Sequence, residues 1–280
     1  MMERYLMRPR IVNLWIDGSA NNPRNPTERP RLEIYHPTER GAMPHAAVIV
    51  CPGGGYRFRS PHEAAPVAQY LAQHGLVGLV CHYRVAPARY PAPMEDVARA
   101  VRLTRAMAYE LGIDPTRIAL MGFSAGGHAA VTVASQYDGD ADGEDDLAGY
   151  HSARPERLIL AYPVISMVID VHEACMLNLF GRDPGVEVRA AVSAEHHVDA
   201  HTPPTFLFHT ADDPMVPVSH SLRYAAACRA AGVPLDLHIF AHGPHGVGLA
   251  QEYATLAIWP ELLLRWLADW LSADKRRNLP

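Results

Sequence analysis

With 280 residues and 49% hydrophobic content, the chain is long enough to bury a sizeable core as one domain. Charged residues make up 20% and the formal net charge is −5, which argues against a nucleic-acid or anionic-membrane partner, since neither is drawn to such a surface. No run approaches the roughly 18 apolar residues of a membrane helix, and the first eight residues lack the apolar stretch of a signal peptide. Cys51, Cys81, Cys175 and Cys228 are scattered with no C-x-x-C, so buried free thiols and a cytoplasmic location are expected. The 16 histidines form no metal-ligand spacing, and neither metal nor cofactor is expected.

The segment up to about residue 44 offers two candidate edge strands, 11–16 and 32–35, separated by the turn-rich Asp17-Gly-Ser-Ala-Asn-Asn-Pro23. From residue 46 the pattern becomes regular. Continuous apolar runs at 46–51 and 76–81 read as buried strands. Between them 63–73 has helical spacing, with Val67, Tyr70 and Leu71 on one side. Residues 96–111 read as a helix with Val97, Val101, Thr104 and Ala108 inward, and 118–121 as a strand that leads through a sharp turn to a helix at 129–134. Strands at 158–161, 205–209 and 235–240, with helices at 219–231 and 261–271, complete the alternation. Short apolar strands alternating with helices predict an α/β fold, its mostly parallel sheet covered on both faces. Ligands of such folds bind beyond the carboxyl ends of the strands. Two stretches break the pattern: an acidic patch at 138–146 and a long excursion at 163–204 with a candidate helix at 174–180. The expected organisation is one domain over 1–280, with 163–204 inserted where a cap over the site would sit.

The turn after the 118–121 strand is Gly122-Phe-Ser124-Ala-Gly126, a G-x-S-x-G in strand–turn–helix context. Such a turn strains its central residue, and side chains at the two glycines would collide with neighbouring backbone. The Ser124 hydroxyl is thereby pushed out of the sheet, at a helix start whose free N–H groups favour negative charge. The pattern alone arises by chance in roughly one chain in ten of this size, so its meaning depends on partners.

An alcohol becomes a useful nucleophile when a base takes its proton and an acid orients that base. The strand at 205–209 opens into Thr210-Ala-Asp212-Asp213-Pro, and that at 235–240 into Ala241-His242-Gly-Pro-His245-Gly. An acid after one strand and a histidine after the next, both downstream of the serine, give the order Ser, Asp, His at one sheet edge. The competing reading is an Asp-Asp-Pro turn and a loop histidine without role. A further loop, Cys51-Pro52-Gly53-Gly54-Gly55-Tyr56, follows a strand directly; its exposed N–H groups, with that of Ala125, suit a developing oxyanion. It lacks the G-K-[ST] of a phosphate loop.

Pro52-Gly-Gly-Gly-Tyr56, His62-Glu63, Tyr83-Arg84, Gly122-Phe-Ser-Ala-Gly-Gly-His128, Thr202-Pro-Pro-Thr-Phe206, His209-Thr-Ala-Asp-Asp-Pro-Met-Val-Pro217 and Gly243-Pro-His-Gly246 resemble the α/β-hydrolase superfamily. Within it they are most similar to bacterial carboxylesterases of the acetyl xylan esterase and lipase-like group. The resemblance spans about 34–271 and implies Ser124 as nucleophile, Asp213 as acid (with Asp212 as rival), His245 as base, and an oxyanion hole from Gly54, Gly55 and Ala125. Pro52 departs from the histidine of the H-G-G-G lipases.

Asp138-Gly-Asp-Ala-Asp142-Gly143 matches the first half of a calcium loop, but Gly149 stands where the bidentate Glu belongs, so a solvated acidic loop is expected. His62-Glu63 lacks the second histidine of a zinc-protease motif. His128 reads as a buried, hydrogen-bonded residue. Tyr56 and Phe123 flank the reactive groups and are candidates to line the acyl pocket, with plain packing as the alternative. The expected function is hydrolysis of short-chain esters, with acetylated sugars or xylan fragments favoured. The partner is then a small-molecule ester, with homo-oligomerisation open. A peptidase of the same fold and a non-catalytic binding protein are the rival readings. The first usually needs a large extra domain that about 45 entry residues cannot supply; the second predicts a missing member of the triad.

Overall fold

The computed structural model describes residues 8–17, 29–37, 44–136 and 146–272. The turn after Asp17 and the acidic stretch with its half calcium loop lie outside them, apart from Asp17 and Asp146 themselves. Among the described residues, eight strands form one sheet: β1 (Arg10–Asn13), β2 (Arg31–Tyr35), β3 (His45–Cys51), β4 (Val77–His82), β5 (Ile113–Phe123), β6 (Arg157–Ala161), β7 (Thr205–Thr210) and β8 (Leu235–Phe240). Their order is β1-β2-β4-β3-β5-β6-β7-β8. β1 and β2 run antiparallel to each other, and β2 runs antiparallel to β4. From β4 to β8 every neighbour is parallel. The carboxyl ends of the parallel strands therefore share one edge, as the apolar runs predict.

The helices are α1 (Ala65–Gln73), α2 (Ala92–Ala106), α3 (Ala108–Leu111), α4 (Ser124–Gln136), α5 (Glu173–Phe180), α6 (Val186–Ala191), α7 (Ser219–Ala231), α8 (Trp259–Trp266) and α9 (Ala268–Ser272). Alternation along each strand sends side chains to opposite faces. Ile49, Leu120, Leu158 and Leu207 pack with Val97, Val101, Val131 and Tyr224 of α2, α4 and α7. Val50, Met121, Ile159 and Phe208 pack with Val67, Leu71, Trp259 and Leu263 of α1 and α8. Two cores, one per face, explain why the strands read as unbroken apolar runs.

Several boundaries differ from the sequence expectation, among them β5, which runs over 113–123 rather than 118–121, and α4, which starts at Ser124 rather than 129. β1 ends at Asn13, and β2 is no edge strand, since β1 pairs on one side of it and β4 on the other. The helix expected over 96–111 starts at Ala92, because Pro93 is tolerated in a first turn where its missing N–H has no partner to lose, and it is interrupted at Met107. The helix expected from residue 63 is a 3₁₀ turn, Pro61–Glu63, followed by α1. The closing helix starts at Trp259, with Pro260 in its first turn, and is interrupted at Leu267.

Beyond its strand pairing, the entry segment is held to α2 by a buried carboxylate. Asp96 of α2 accepts from the Trp15 indole at 2.7 Å, and from the backbone N and Nε of Arg84 at 2.7 and 2.8 Å. Burial pushes its carboxyl up, and the hydrogen bonds from Arg84 and Trp15 oppose that push. Asp96→Ala removes the buried partner shared by Arg84 and the Trp15 indole and leaves Arg84 with Glu95 at 3.3 Å, and breaking a buried ion pair in this way costs up to about 3–5 kcal/mol. A urea denaturation series should show a loss of that order, and a change below about 1 kcal/mol would count against the tie.

Candidate active site

Ser124 is the first residue of α4 and has φ of 50°, the left-handed backbone expected of a strained turn. Gly122 and Gly126 make the turn possible. A Cβ at Gly122 would lie 2.3 Å from the Gly126 carbonyl oxygen, and one at Gly126 only 2.1 Å from that of Cys51. The hydroxyl emerges at the sheet edge, with 7% of the residue exposed.

His245 follows β8 and Asp213 follows β7, and the structure brings both to Ser124. His245 Nδ1 lies 2.7 Å from Asp213 Oδ2, and His245 Nε2 lies 2.8 Å from Ser124 Oγ. An ionised carboxylate only accepts, so Nδ1 carries the proton and Nε2 is left to accept from the hydroxyl. Asp213 Oδ1 accepts from the backbone N–H of Met215 and Val216, at 2.8 and 2.9 Å. His209 Nε2 stands 3.3 Å from Oδ2 while donating to the Val216 carbonyl at 2.9 Å. Burial would raise the Asp213 carboxyl, but the hydrogen bonds from His209, His245 and the backbone win and hold it far below the usual carboxylate range. Asp212 points elsewhere: it is exposed and accepts from His242 Nδ1 at 2.8 Å and Gly243 N at 2.9 Å, fastening the two loops together. Of the two acids, Asp213 contacts His245 and Asp212 contacts His242.

The glycine loop lies against the same turn. A Cβ at Gly53 would stand 3.1 Å from that of Ser124. The Gly53 N–H is already used, donating to Glu63 Oε2 at 2.8 Å. Among the described residues, the N–H groups of Gly54, Gly55 and Ala125 have no partner, and Gly54 and Gly55 are partly exposed. Tyr83 steadies the loop from β4, its hydroxyl donating to the Pro52 carbonyl at 2.5 Å.

Tyr56 and Phe123 do not open onto this space. Tyr56 is 1% exposed and donates its hydroxyl to His128 Nδ1 at 2.8 Å, while His128 Nε2 donates to the Val192 carbonyl at 2.8 Å. Burial holds the His128 imidazole down to about 4, so it stays neutral, as that pair of bonds requires. Phe123 continues the alternation of Ala119 and Met121 into the core beneath α8, against Tyr162 and Trp259. Their proximity to reactive groups is one of sequence; their side chains pack.

Residues not assigned to the site from the sequence also belong to its surroundings. Tyr162, after β6, has φ of 37° and sets its ring edge-on to His245, with centroids 4.9 Å apart. Its hydroxyl donates to Glu63 Oε1 at 2.7 Å and accepts from Gly248 N at 3.0 Å. Burial pushes this phenol well above its ordinary value, which keeps it a donor. The excursion at 163–204 carries α5 and α6, and Asn178 of α5 donates to the Gly55 carbonyl at 3.0 Å. The helix expected at 174–180 is α5. No group of three metal-ligating side chains occurs among the described residues, and no described helix is long and apolar enough to cross a membrane.

Known proteins resemble this chain in sequence and fold. A family model described as BD-FAE matches residues 32–227. An acetylxylan esterase of Xylanibacter ruminicola is 31% identical over 233 residues, covering 81% of this chain and 45% of that protein. Endo-1,4-beta-xylanase B of Butyrivibrio fibrisolvens is 31% identical over 244 residues, covering 86% and 38%. The chain thus spans less than half the length of these two curated relatives. Among solved structures, the acetyl ester-xyloside bifunctional hydrolase from Caldicellulosiruptor lactoaceticus aligns with a TM-score of 0.88 and 39% identity, over 93% of this chain and 96% of that one. A carboxylesterase from Lactobacillus plantarum aligns with a TM-score of 0.74 and 25% identity, over 94% and 98%. The chain belongs to the BD-FAE family, among the bacterial carboxylesterases of the α/β-hydrolase superfamily.

Proposed function

We propose that the protein is a serine carboxylesterase that removes acetyl and similarly short acyl groups from small esters, acetylated sugars and xylo-oligosaccharides in the first place. The observation that carries this reading is the unbroken hydrogen-bond path from Asp213 through His245 to the Ser124 hydroxyl. The sugar preference is drawn from relatives named for acetylxylan and acetyl ester-xyloside hydrolysis.

In the first half-reaction Ser124 Oγ attacks the ester carbonyl carbon while its proton passes to His245 Nε2. Asp213, held ionised, keeps the imidazole in the receptive tautomer and offsets the charge it gains. The carbonyl oxygen becomes an oxyanion, and the N–H groups of Gly54, Gly55 and Ala125 are the donors proposed to receive it. The tetrahedral centre collapses, the alkoxide leaves with the proton from His245, and an acyl-serine remains. Water then gives a proton to His245 and attacks the acyl carbon, releasing the carboxylic acid and restoring Ser124. In this reading 163–204 acts as a small cap, with α5 reaching the glycine loop through Asn178. The four buried free cysteines agree with a reducing, cytoplasmic setting.

Ser124→Ala should remove hydrolysis of p-nitrophenyl acetate by at least about 10,000-fold and abolish labelling by a fluorophosphonate. Retained labelling would sink the nucleophile assignment. Asp213→Asn should lower kcat by about 1,000- to 10,000-fold by disturbing the tautomer, as the corresponding change does in serine proteases. Asp212→Asn should change kcat less than about threefold, and the reverse ranking would transfer the role to Asp212. Acetylated xylo-oligosaccharide should be deacetylated faster than an aminoacyl anilide is cleaved, and the opposite order would favour a peptidase.

A further inference from the structure

We propose that Glu63 is a positioning residue of this site, a buried carboxylate that fixes the oxyanion loop relative to the histidine loop. The inference rests on the esterase reading above. The Glu63 side chain is 2% exposed, and the His62 imidazole, whose Nε2 stands 3.9 Å away, already donates to the Gly246 carbonyl at 2.7 Å. A carboxylate so far from water is costly unless its lone pairs are taken up by donors.

The donors are arranged to join three separate loops. Oε2 accepts from Gly53 N at 2.8 Å, immediately before the free N–H groups of Gly54 and Gly55. Oε1 accepts from the Tyr162 hydroxyl at 2.7 Å. That hydroxyl accepts in turn from Gly248 N at 3.0 Å, three residues beyond His245. A Cβ on Gly246 would lie 3.9 Å from Oε1, and one on Gly53 2.7 Å from Oε2, so both loops close directly on the carboxylate. By taking up the Gly53 N–H, Glu63 turns that donor away from the substrate and sets the direction of the peptide planes that follow. Through Tyr162, whose ring meets His245 edge-on, it also sets the height of the imidazole.

Both arms accept hydrogen bonds. In Glu63→Gln one arm becomes an NH₂ group: toward Gly53 it meets another N–H, and toward Tyr162 it reverses the bond, so that the hydroxyl must accept a second time beside Gly248 N and its own proton loses this acceptor. The shape is kept and the alignment is lost. Displacing reacting groups by about 1 Å costs on the order of 100-fold in rate, and weakening an oxyanion donor costs a similar factor. The test is kcat and KM for p-nitrophenyl acetate, measured on the full chain well below the melting temperature, for wild type, Glu63→Gln and Tyr162→Phe. Glu63→Gln should lose about 10- to 100-fold in kcat with KM within about threefold, and Tyr162→Phe about 3- to 10-fold in the same sense. A folded Glu63→Gln with kcat within about twofold of wild type, or a loss confined to KM, would overturn the inference. Should Glu63→Gln fail to fold, the same criteria applied to Tyr162→Phe decide. A wild-type chain inert toward the ester and toward fluorophosphonate would instead remove the esterase reading, and this inference with it.

Discussion

The close approach of α4 to the end of β3 governs the site. Gly126 lies so near the Cys51 and Pro52 carbonyls that a methyl group there would fall 2.1 and 2.5 Å from their oxygens. That contact lets the first turn of the helix sit between two strand ends. The Ser124 hydroxyl, the Ala125 N–H and the glycine loop then fall within one small volume. A side chain at this point would separate the Ser124 hydroxyl from the glycine loop, whatever the rest of the molecule did. The parallel sheet supplies the other half of the geometry, because β3, β5, β6, β7 and β8 all terminate at the same edge.

Electrostatics at that edge are divided between two carboxylates with different duties. Asp213 faces two imidazoles and two backbone N–H groups, and the hydrogen bonds outweigh burial to keep its charge. Glu63 faces two neutral donors, one peptide and one phenol. Asp212 illustrates the contrast, since the residue adjacent to Asp213 is exposed and its bonds to His242 and Gly243 only join loop to loop.

Much of this was legible in the sequence, for physical reasons that can be named. Strands buried on both faces show as apolar runs, and so 205–209 marks β7 closely, whereas β8 at the sheet's edge is only partly buried and carries Asp236 and His238. Residues at strand ends are brought together by topology, so Ser124, Asp213 and His245 can be grouped before any distance is known. Side-chain direction is less accessible. Phe123 adjoins Ser124, yet strand alternation turns it into the core under α8. Tyr56 adjoins the glycines, yet its hydroxyl is held by His128. Glu63 was missed for another reason: the sequence offered it only as the start of a helix and as half of a zinc-protease motif. Its burial depends on Gly53, Tyr162 and Gly248, which lie up to 185 positions away in the chain.

The order in which the parts occur along the polypeptide has its own consequence. Ser124 and His245 are separated by 121 positions, and His245 follows β8, an edge strand and the last of the sheet to be made. On a ribosome, where amino-terminal segments emerge first, the hydroxyl and its glycine turn can take shape before His245 has been made. On the proposed reading the nascent protein therefore lacks its base until β8 docks on β7, and hydrolytic competence arrives with completion of the sheet.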